Sequence, residues 1–293
     1  MVHPNQLNVD DELVRHLLAE QFPALSKYKV ERVNTPATVN SIFRIGSEYV
    51  ARLPLASTNV DELKKEVEAF KEFSQIVPFS VPSPIAIGAP SDQYDSAWSI
   101  FEWLPGDVAK PGELPAGDAL VMDIVSLIST LRTCEVRDRV FEGPGRGGEL
   151  VVHDAWVEEC CAKGSHILDS DRVWLLWQKF HGLPRLSPDV MSHKDLTPFN
   201  LLIRSNRLAG VLDCGNFGPA DPALDLVVAW HLFEFDDREI IRRELNVADI
   251  EWRRGAAWAL EQAIGLVWYY ETSNPEMSRL GISTIQRILD AEG

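Results

Sequence analysis

Between Met191 and Trp230 the chain reads MSHKDLTPFNLLIRSNRLAGVLDCGNFGPADPALDLVVAW, and three polar residues in it stand at separations that suit one kind of chemistry. Asp195 follows His193 as HxD, Asn200 completes HxDxxxxN, and Asp213-Cys214-Gly215 supplies a DxG farther on. Phosphoryl transfer needs one carboxylate to orient the attacking hydroxyl and accept its proton, and oxygen ligands for a divalent cation. Asp195 suits the first role. Pro198 breaks the chain after it, freeing Asn200 to present its amide oxygen to a metal. Leu201–Ile203 and Leu208–Leu212, either side of Ser205-Asn206, predict a hairpin that returns Asp213 beside Asn200. An amide and a carboxylate facing one point suit Mg²⁺, which keeps much of its water; zinc would want His or Cys. The competing interpretation makes Asp195 and Asp213 ordinary turn aspartates.

Positioning these groups requires a scaffold, and a chain of 293 residues with 45% apolar residues is large enough for two lobes around a cleft. Apolar spacing predicts an opening helix over Val9–Phe22, capped by Asp10 and Asp11. Short strands follow at Tyr28–Val33, Asn40–Ile45 and Glu48–Leu53, with Gly46-Ser47 as a tight turn. Asp61–Ile76 predicts an amphipathic helix, Ile85–Ile87 and Ala97–Leu104 two further strands, and Pro105-Gly106 the boundary between lobes. Beyond it, helices are expected at Asp118–Leu131, Arg172–Phe180, Ala223–Phe233, Arg253–Tyr270 and Ser278–Leu289, with a break at Ser273-Asn274-Pro275. The loop Gly143–Gly148 follows no strand and lacks GxxxxGK[ST], so it reads as a flexible connection and not a phosphate cradle.

A net charge of −16 disfavours nucleic acid, whose backbone calls for clustered lysine and arginine, and is compatible with a cationic partner or simply with solubility. The start shows neither a basic region followed by an apolar run nor a transit-peptide composition, and no apolar stretch approaches a membrane span. Cys134, Cys160, Cys161 and Cys214 resemble neither a disulfide framework nor a zinc site. A cytoplasmic protein without a membrane partner is expected.

HKDLTPFNLL…GVLDCGNFGPADPALDL resembles the core of the aminoglycoside phosphotransferase family, and the similarity extends across nearly the whole chain. This implies an α+β, two-lobed protein-kinase-like fold: a small antiparallel-sheet N-lobe, residues 1–104, binding nucleotide, and a larger, mainly helical C-lobe, residues 105–293, holding the catalytic loop, metal site and acceptor pocket. The implied activity is a Mg²⁺-dependent kinase that passes the γ-phosphoryl group of ATP or GTP to a small-molecule hydroxyl, in a family associated with antibiotic resistance. Asp195 would be the catalytic base, Asn200 and Asp213 the metal ligands, and His193 and Asp225 the supports of the loop. A carboxylate at Asp225, among Leu224, Leu226 and Val227, must in any case find donors. Asp221-Pro222 reads as a helix cap and first turn.

In the small lobe EYVARLP resembles the strand that usually supplies a nucleotide-pairing lysine, and Arg52 stands there instead; its partner would be Glu66, which equally suits a solvated surface. Asn40 and Ser41 would lie near the phosphates, and backbone groups of Glu102 and Leu104 would read the purine, with plain strand packing as the alternative. Lys194 and Phe199 add bulk where the family has small residues, Lys194 contacting phosphate or pointing to solvent. For the acceptor, Glu234, Asp236, Asp237 and Glu271 offer carboxylates for an amino sugar, whereas Trp230, Trp252, Trp258 and Trp268 suit a macrolide or the core. Amino alcohols are a further option. A kinase-shaped protein that binds nucleotide without transfer is the alternative of another class, and either a monomer or a homodimer fits.

Overall fold

A computed structural model describes residues 7–33, 39–114 and 118–292. Met1–Gln6, which bear on the expected lack of a leader, lie outside them. Helix α1 (Asp11–Gln21) starts where the Asp10 side chain accepts the Leu13 N–H, and it buries Val14, Leu17 and Leu18. Strands β1 (Val30–Arg32), β2 (Asn40–Ile45) and β3 (Tyr49–Pro54) precede α2 (Val60–Ile76), and β4 (Pro84–Gly88) and β5 (Trp98–Glu102) complete the sheet. Its order is β1-β2-β3-β5-β4, with every neighbouring pair antiparallel. Alternation sends Phe43, Ile45, Ala51 and Leu53 to the face that α1 covers. The other face packs on α2, where Phe70 meets Phe101 with centroids 4.7 Å apart. Asn59 and Glu62 form a capping box that sets the start of α2.

The larger lobe opens with β6 (Asp107–Val108), which pairs with a later hairpin, β8 (Leu201–Arg204) and β9 (Arg207–Val211). Ser205 and Asn206 turn that hairpin with φ of 52° and 63°. Around it stand α3 (Ala119–Thr133), α4 (Asp154–Gly164), α5 (Ser170–Phe180), α6 (Val227–Leu232), α7 (Phe235–Glu244), α8 (Asp249–Tyr269) and α9 (Pro275–Glu292), while β7 (Val190–Ser192) pairs with β10 (Gly218–Ala220). Helix α8 is buried along most of its length, from Trp252 to Val267. Two sequence expectations change. Ala223–Phe233 is a 3₁₀ turn at Leu224–Leu226 followed by the short α6, and α4 and α7 were not anticipated. DAWVEECCAKG carries no clean apolar stripe, and FDDREIIRRE holds too few apolar residues to mark a buried face, burying only Arg238 and Ile241. Among the described residues no helix is long and apolar enough to cross a membrane.

Candidate active site

Strand β7 ends at Ser192, and the chain then makes the turn that carries Asp195, with Lys194 at φ 69°. Asp225, buried beneath it, accepts from the Ser192 hydroxyl at 2.9 Å and from the backbone N–H groups of His193 and Lys194 at 3.2 and 3.3 Å. Burial pushes its carboxyl upward, and the His193 ring and these three donors oppose that shift. His193 Nε2–H donates to the Leu212 carbonyl at 2.8 Å, and its Nδ1 accepts the Asp195 N–H at 3.3 Å. One imidazole thus ties the turn to the end of the β8–β9 hairpin. Its ring meets Phe73 of α2 edge-on, and Phe73 also packs on Phe217.

The Asp195 carboxylate is held at both oxygens. Oδ2 accepts from Asn200 Nδ2 at 3.0 Å, Oδ1 accepts from Gln262 Nε2 at 2.7 Å, and Arg146 Nη2 lies 3.9 Å from Oδ1. Asn200 Nδ2 also donates to the Asp195 carbonyl at 2.8 Å, and the Asn200 carbonyl accepts the Leu212 N–H at 2.8 Å, so Asp213 follows directly beside it. Asp213 itself is left-handed, φ 55° and ψ 47°. Its Oδ1 accepts from Arg52 Nη2 at 2.7 Å, while Arg52 Nη1 bridges to Glu66 Oε1 at 2.9 Å. Burial lowers the Arg52 pKa, but Asp213 and Glu66 more than offset it and leave the guanidinium above its ordinary value. Burial raises Glu66, Asp213 adds to the rise, and Arg52 pulls it back in part.

Gly215 is a glycine because Glu66 lies on it: a Cβ there would stand 2.3 Å from Glu66 Cγ. Gly215→Ala is therefore expected to force Glu66 off Arg52 and to cost about 1–3 kcal/mol of folding stability, as overpacking does. Urea unfolding of the variant checks this; an unchanged midpoint would show that α2 accommodates the methyl group freely.

Of the residues singled out in the sequence, Asp195, His193, Asn200, Asp213, Asp225, Arg52 and Glu66 come together. Asn40 stands on the same face of the sheet as Arg52, two positions from Ile42, which pairs with Arg52. Ser41 does not: it is buried on the opposite face and accepts from Arg32 Nη2 at 3.3 Å. The Glu102 N–H is spent on the Ser83 carbonyl at 2.8 Å. No hydrogen bond or ion pair among the described residues joins Glu234, Asp236, Asp237 or Glu271 to Asp195. Glu234 pairs with Arg287 at 2.6 Å and Glu271 with His166 at 3.0 Å, whereas Asp236 and Asp237 lie in the first turn of α7. Burial, then Asp118, Asp236 and Glu234, raise the Asp237 carboxyl. Trp230, Trp252 and Trp258 belong to the core. Lys194 is half-buried against Gly218 and over the Phe141 ring, and burial lowers its pKa.

Sequence reasoning missed Arg146, Gln262, His231 and Thr284. The Gly143–Gly148 loop is no loose connection at its far end, where Gly147 and Gly148 are buried. Gly147, at φ 118°, would bring a Cβ within 2.8 Å of Ala220 Cβ, and its carbonyl accepts the Asp221 N–H at 2.8 Å. Arg254 Nη2 donates to Gly148 O at 3.1 Å, and the same guanidinium grips buried Asp221 through Nε at 2.9 Å and Nη2 at 2.6 Å. This fixes Arg146, whose Nη1 donates to Glu261 at 3.4 Å, next to Asp195. Behind Gln262, its Oε1 meets His231 Nε2 at 3.0 Å, and His231 Nδ1 meets Thr284 Oγ1 at 2.8 Å.

Burial, only partly opposed by Gln262, pushes His231 down to about 4 from 6.5. The unfolded chain therefore takes up a proton between those values that the folded chain refuses. The His231 contribution to stability is complete above pH 6.5 and is lost as the pH drops towards 4, by about 3 kcal/mol in all at roughly 1.4 kcal/mol per unit. Chemical denaturation from pH 7 to 4 should show a stability loss larger in the native chain than in His231→Gln by this amount; identical slopes would refute it.

The site also leaves oxygens for a cation. With Asn200 Nδ2 spent on Asp195 and Asp213 Oδ1 on Arg52, an amide oxygen and a carboxylate oxygen have no hydrogen-bond partner among the described residues. No group of three or more His, Cys, Asp or Glu among these residues could hold a metal. Two oxygen ligands fit Mg²⁺ completed by phosphate and water, and do not fit a transition metal.

The model of the phosphotransferase enzyme family matches residues 33–258. An aminoglycoside 3′-phosphotransferase of Salmonella typhimurium is 27% identical over 150 residues, 47% of this chain and 53% of that protein, so the match spans about half of its curated relative. The GDP complex of wild-type aminoglycoside 2′-phosphotransferase-IIIa superposes with a TM-score of 0.75 at 18% identity, over 97% of this chain and 100% of that one. The macrolide 2′-phosphotransferase MphH from Brachybacterium faecium gives 0.60 at 13%, over 94% and 97%. At these identities the structural matches establish the protein-kinase-like fold.

Proposed function

Because the chain belongs to the phosphotransferase enzyme family, we propose that it moves the γ-phosphoryl group of ATP or GTP to a hydroxyl of a small molecule, with Asp195 as the base. The observation that carries this is the convergence of Asp195, Asn200 and Asp213 with Arg52, which pairs with Asp213 and is braced by Glu66. Asn200 and Asp213 would hold Mg²⁺, which when bound neutralises phosphate charge and orients the nucleotide. Arg52 then meets phosphate oxygens, with Asn40 on the same face, and the Glu102 carbonyl and the Leu104 backbone face the purine. Residues 1–104 thus serve the nucleotide and residues 105–293 the acceptor. His193 and Asp225 keep the turn in shape. Asp195 orients the hydroxyl and takes its proton as the oxygen bonds to the γ-phosphorus and the bond to the nucleoside diphosphate breaks. No phosphoenzyme forms. The free thiols of all four cysteines support a reducing, cytoplasmic setting.

For the acceptor we favour an amino sugar, on the strength of the aminoglycoside-directed relatives and the carboxylates of Asp236 and Asp237. One observation favours a second class. Val151, Val152 and Trp156 are 52%, 64% and 38% exposed, and they flank His153, which meets Glu261 at 2.9 Å beside Gln262. That apolar strip near Asp195 suits a larger acceptor of the macrolide kind. The test is incubation with Mg²⁺ and ATP or GTP against aminoglycosides, macrolides and amino alcohols, following phosphorylated product by mass spectrometry. Product from one class names the acceptor. Nucleotide binding without any product would favour a kinase-shaped protein that performs no transfer.

A further inference from the structure

We propose that Thr284, His231 and Gln262 form a relay that fixes the Asp195 carboxylate in its working orientation, Gln262 being a positioning residue and His231 the group that decides which end of its amide faces Asp195. The inference rests on Asp195 being the base of the reaction proposed above.

An ionised Asp195 only accepts, so the Gln262 group 2.7 Å from its Oδ1 must be the amide nitrogen. The Gln262 oxygen then points at His231 Nε2, 3.0 Å away, and this nitrogen must carry the hydrogen. His231 Nδ1 is consequently a lone pair, and the Thr284 hydroxyl, 2.8 Å away and fully buried, donates to it. Each member has one arrangement that satisfies its neighbour, and the last free choice, the flip of the Gln262 amide, is removed. Asn200 holds Oδ2 from the loop itself while Gln262 holds Oδ1 from α8, so the carboxylate plane is set from two independent elements. Arg146 approaches the same Oδ1 but is 3.9 Å away and directs its Nη1 to Glu261, which leaves Gln262 the short contact.

The cost of this arrangement argues for its use. Helix α6 is buried at every residue, VVAWHL, and an imidazole there has no solvent to hydrate it. An apolar residue would pack without needing partners. A line of three polar side chains drawn from α9 through α6 and α8 ends at one atom, Oδ1 of Asp195. The burial that keeps His231 neutral across the physiological range also keeps its tautomer, and with it the direction of every bond in the line, constant.

The test compares His231→Leu, His231→Gln, Gln262→Leu and Thr284→Val with the native enzyme on whichever acceptor that enzyme phosphorylates. His231→Leu and Gln262→Leu are expected to lower kcat by about 10- to 100-fold, with the nucleotide KM unchanged, because the reacting carboxylate is misplaced and not removed. His231→Gln, whose amide nitrogen can replace Nε2–H, should retain kcat within about threefold. Equal damage from Leu and Gln at position 231, or native kcat in folded Gln262→Leu, would overturn the relay. Gln262 is half-buried, so its variant remains informative if His231→Leu does not fold. An arm without catalysis separates this idea from the functional assignment: ¹⁵N spectra of the native imidazole should show the Nε2–H tautomer, with a signal that moves in Asp195→Ala. Finding Nδ1–H refutes the relay whatever the enzyme does; finding Nε2–H with no turnover on any acceptor upholds the bonding order from Thr284 to Asp195 and counts against the kinase reading alone.

Discussion

Asp195→Ala is expected to lower kcat by about a thousandfold, within the 10²–10⁴ span of general-base catalysis and equivalent to about 4 kcal/mol of barrier, while leaving Mg-nucleotide affinity within about twofold of native. The selectivity follows from the bonding of the loop. Asn200 Nδ2 also binds the Asp195 main-chain carbonyl at 2.8 Å, and His193 Nδ1 holds the residue's N–H. Both contacts survive loss of the side chain, so Asn200 and Asp213 keep their places. Steady-state kinetics and calorimetric nucleotide titration together check the prediction. A variant within tenfold of native turnover would remove Asp195 from the reaction, and a parallel loss of nucleotide affinity would mean that the loop had collapsed.

Asp221→Ala is expected to be the most destabilising single change in the larger lobe, at about 3–5 kcal/mol in urea unfolding. Asp221 is 2% exposed and Arg254 1%, and the carboxylate satisfies Arg254, the Trp258 indole N–H at 2.9 Å and the Ala223 N–H at 3.0 Å. Removing it leaves a buried guanidinium with two backbone carbonyls, those of Leu183 and Gly148, and no counter-charge. Combining it with Arg254→Met should cost far less than the sum of the single changes, since no charge is then stranded. Additive costs would show that the two residues do not act as a pair. The sequence suggested only a helix cap at Asp221, because the cap is local and Arg254 is far along the chain.

That contrast describes what the sequence could reveal about the site. Asp195, Asn200 and Asp213 are legible because one short turn and one hairpin carry all three, so spacing along the chain translates into spacing in the fold. Arg52 and Glu66 are legible through the strand and the helix that present them. Gln262 reaches Asp195 from 67 residues away, His231 reaches Thr284 from 53, and no local pattern encodes such separations. A signal did exist: Glu261 and Gln262 interrupt an otherwise apolar run, AAWALEQAIGLVW, and the argument that a polar group on an apolar helix must find partners, used for Asp225, applies to them equally. Surface carboxylates carry no comparable signal. Glu234 and Glu271 looked available for an ammonium group, but the cations that meet them, Arg287 and His166, lie 53 and 105 residues away.

Helix α2 touches both lobes with one rigid rod. Glu66 lies against Gly215 and holds Arg52, and Phe73, seven residues on and about 10 Å farther along the axis, packs on His193 and Phe217. A small lobe swinging outward as a free flap would have to tear one of these contacts. Separation of the small lobe from the larger one is therefore opposed at two points at once, the Glu66–Gly215 contact and the Phe73 contacts with His193 and Phe217.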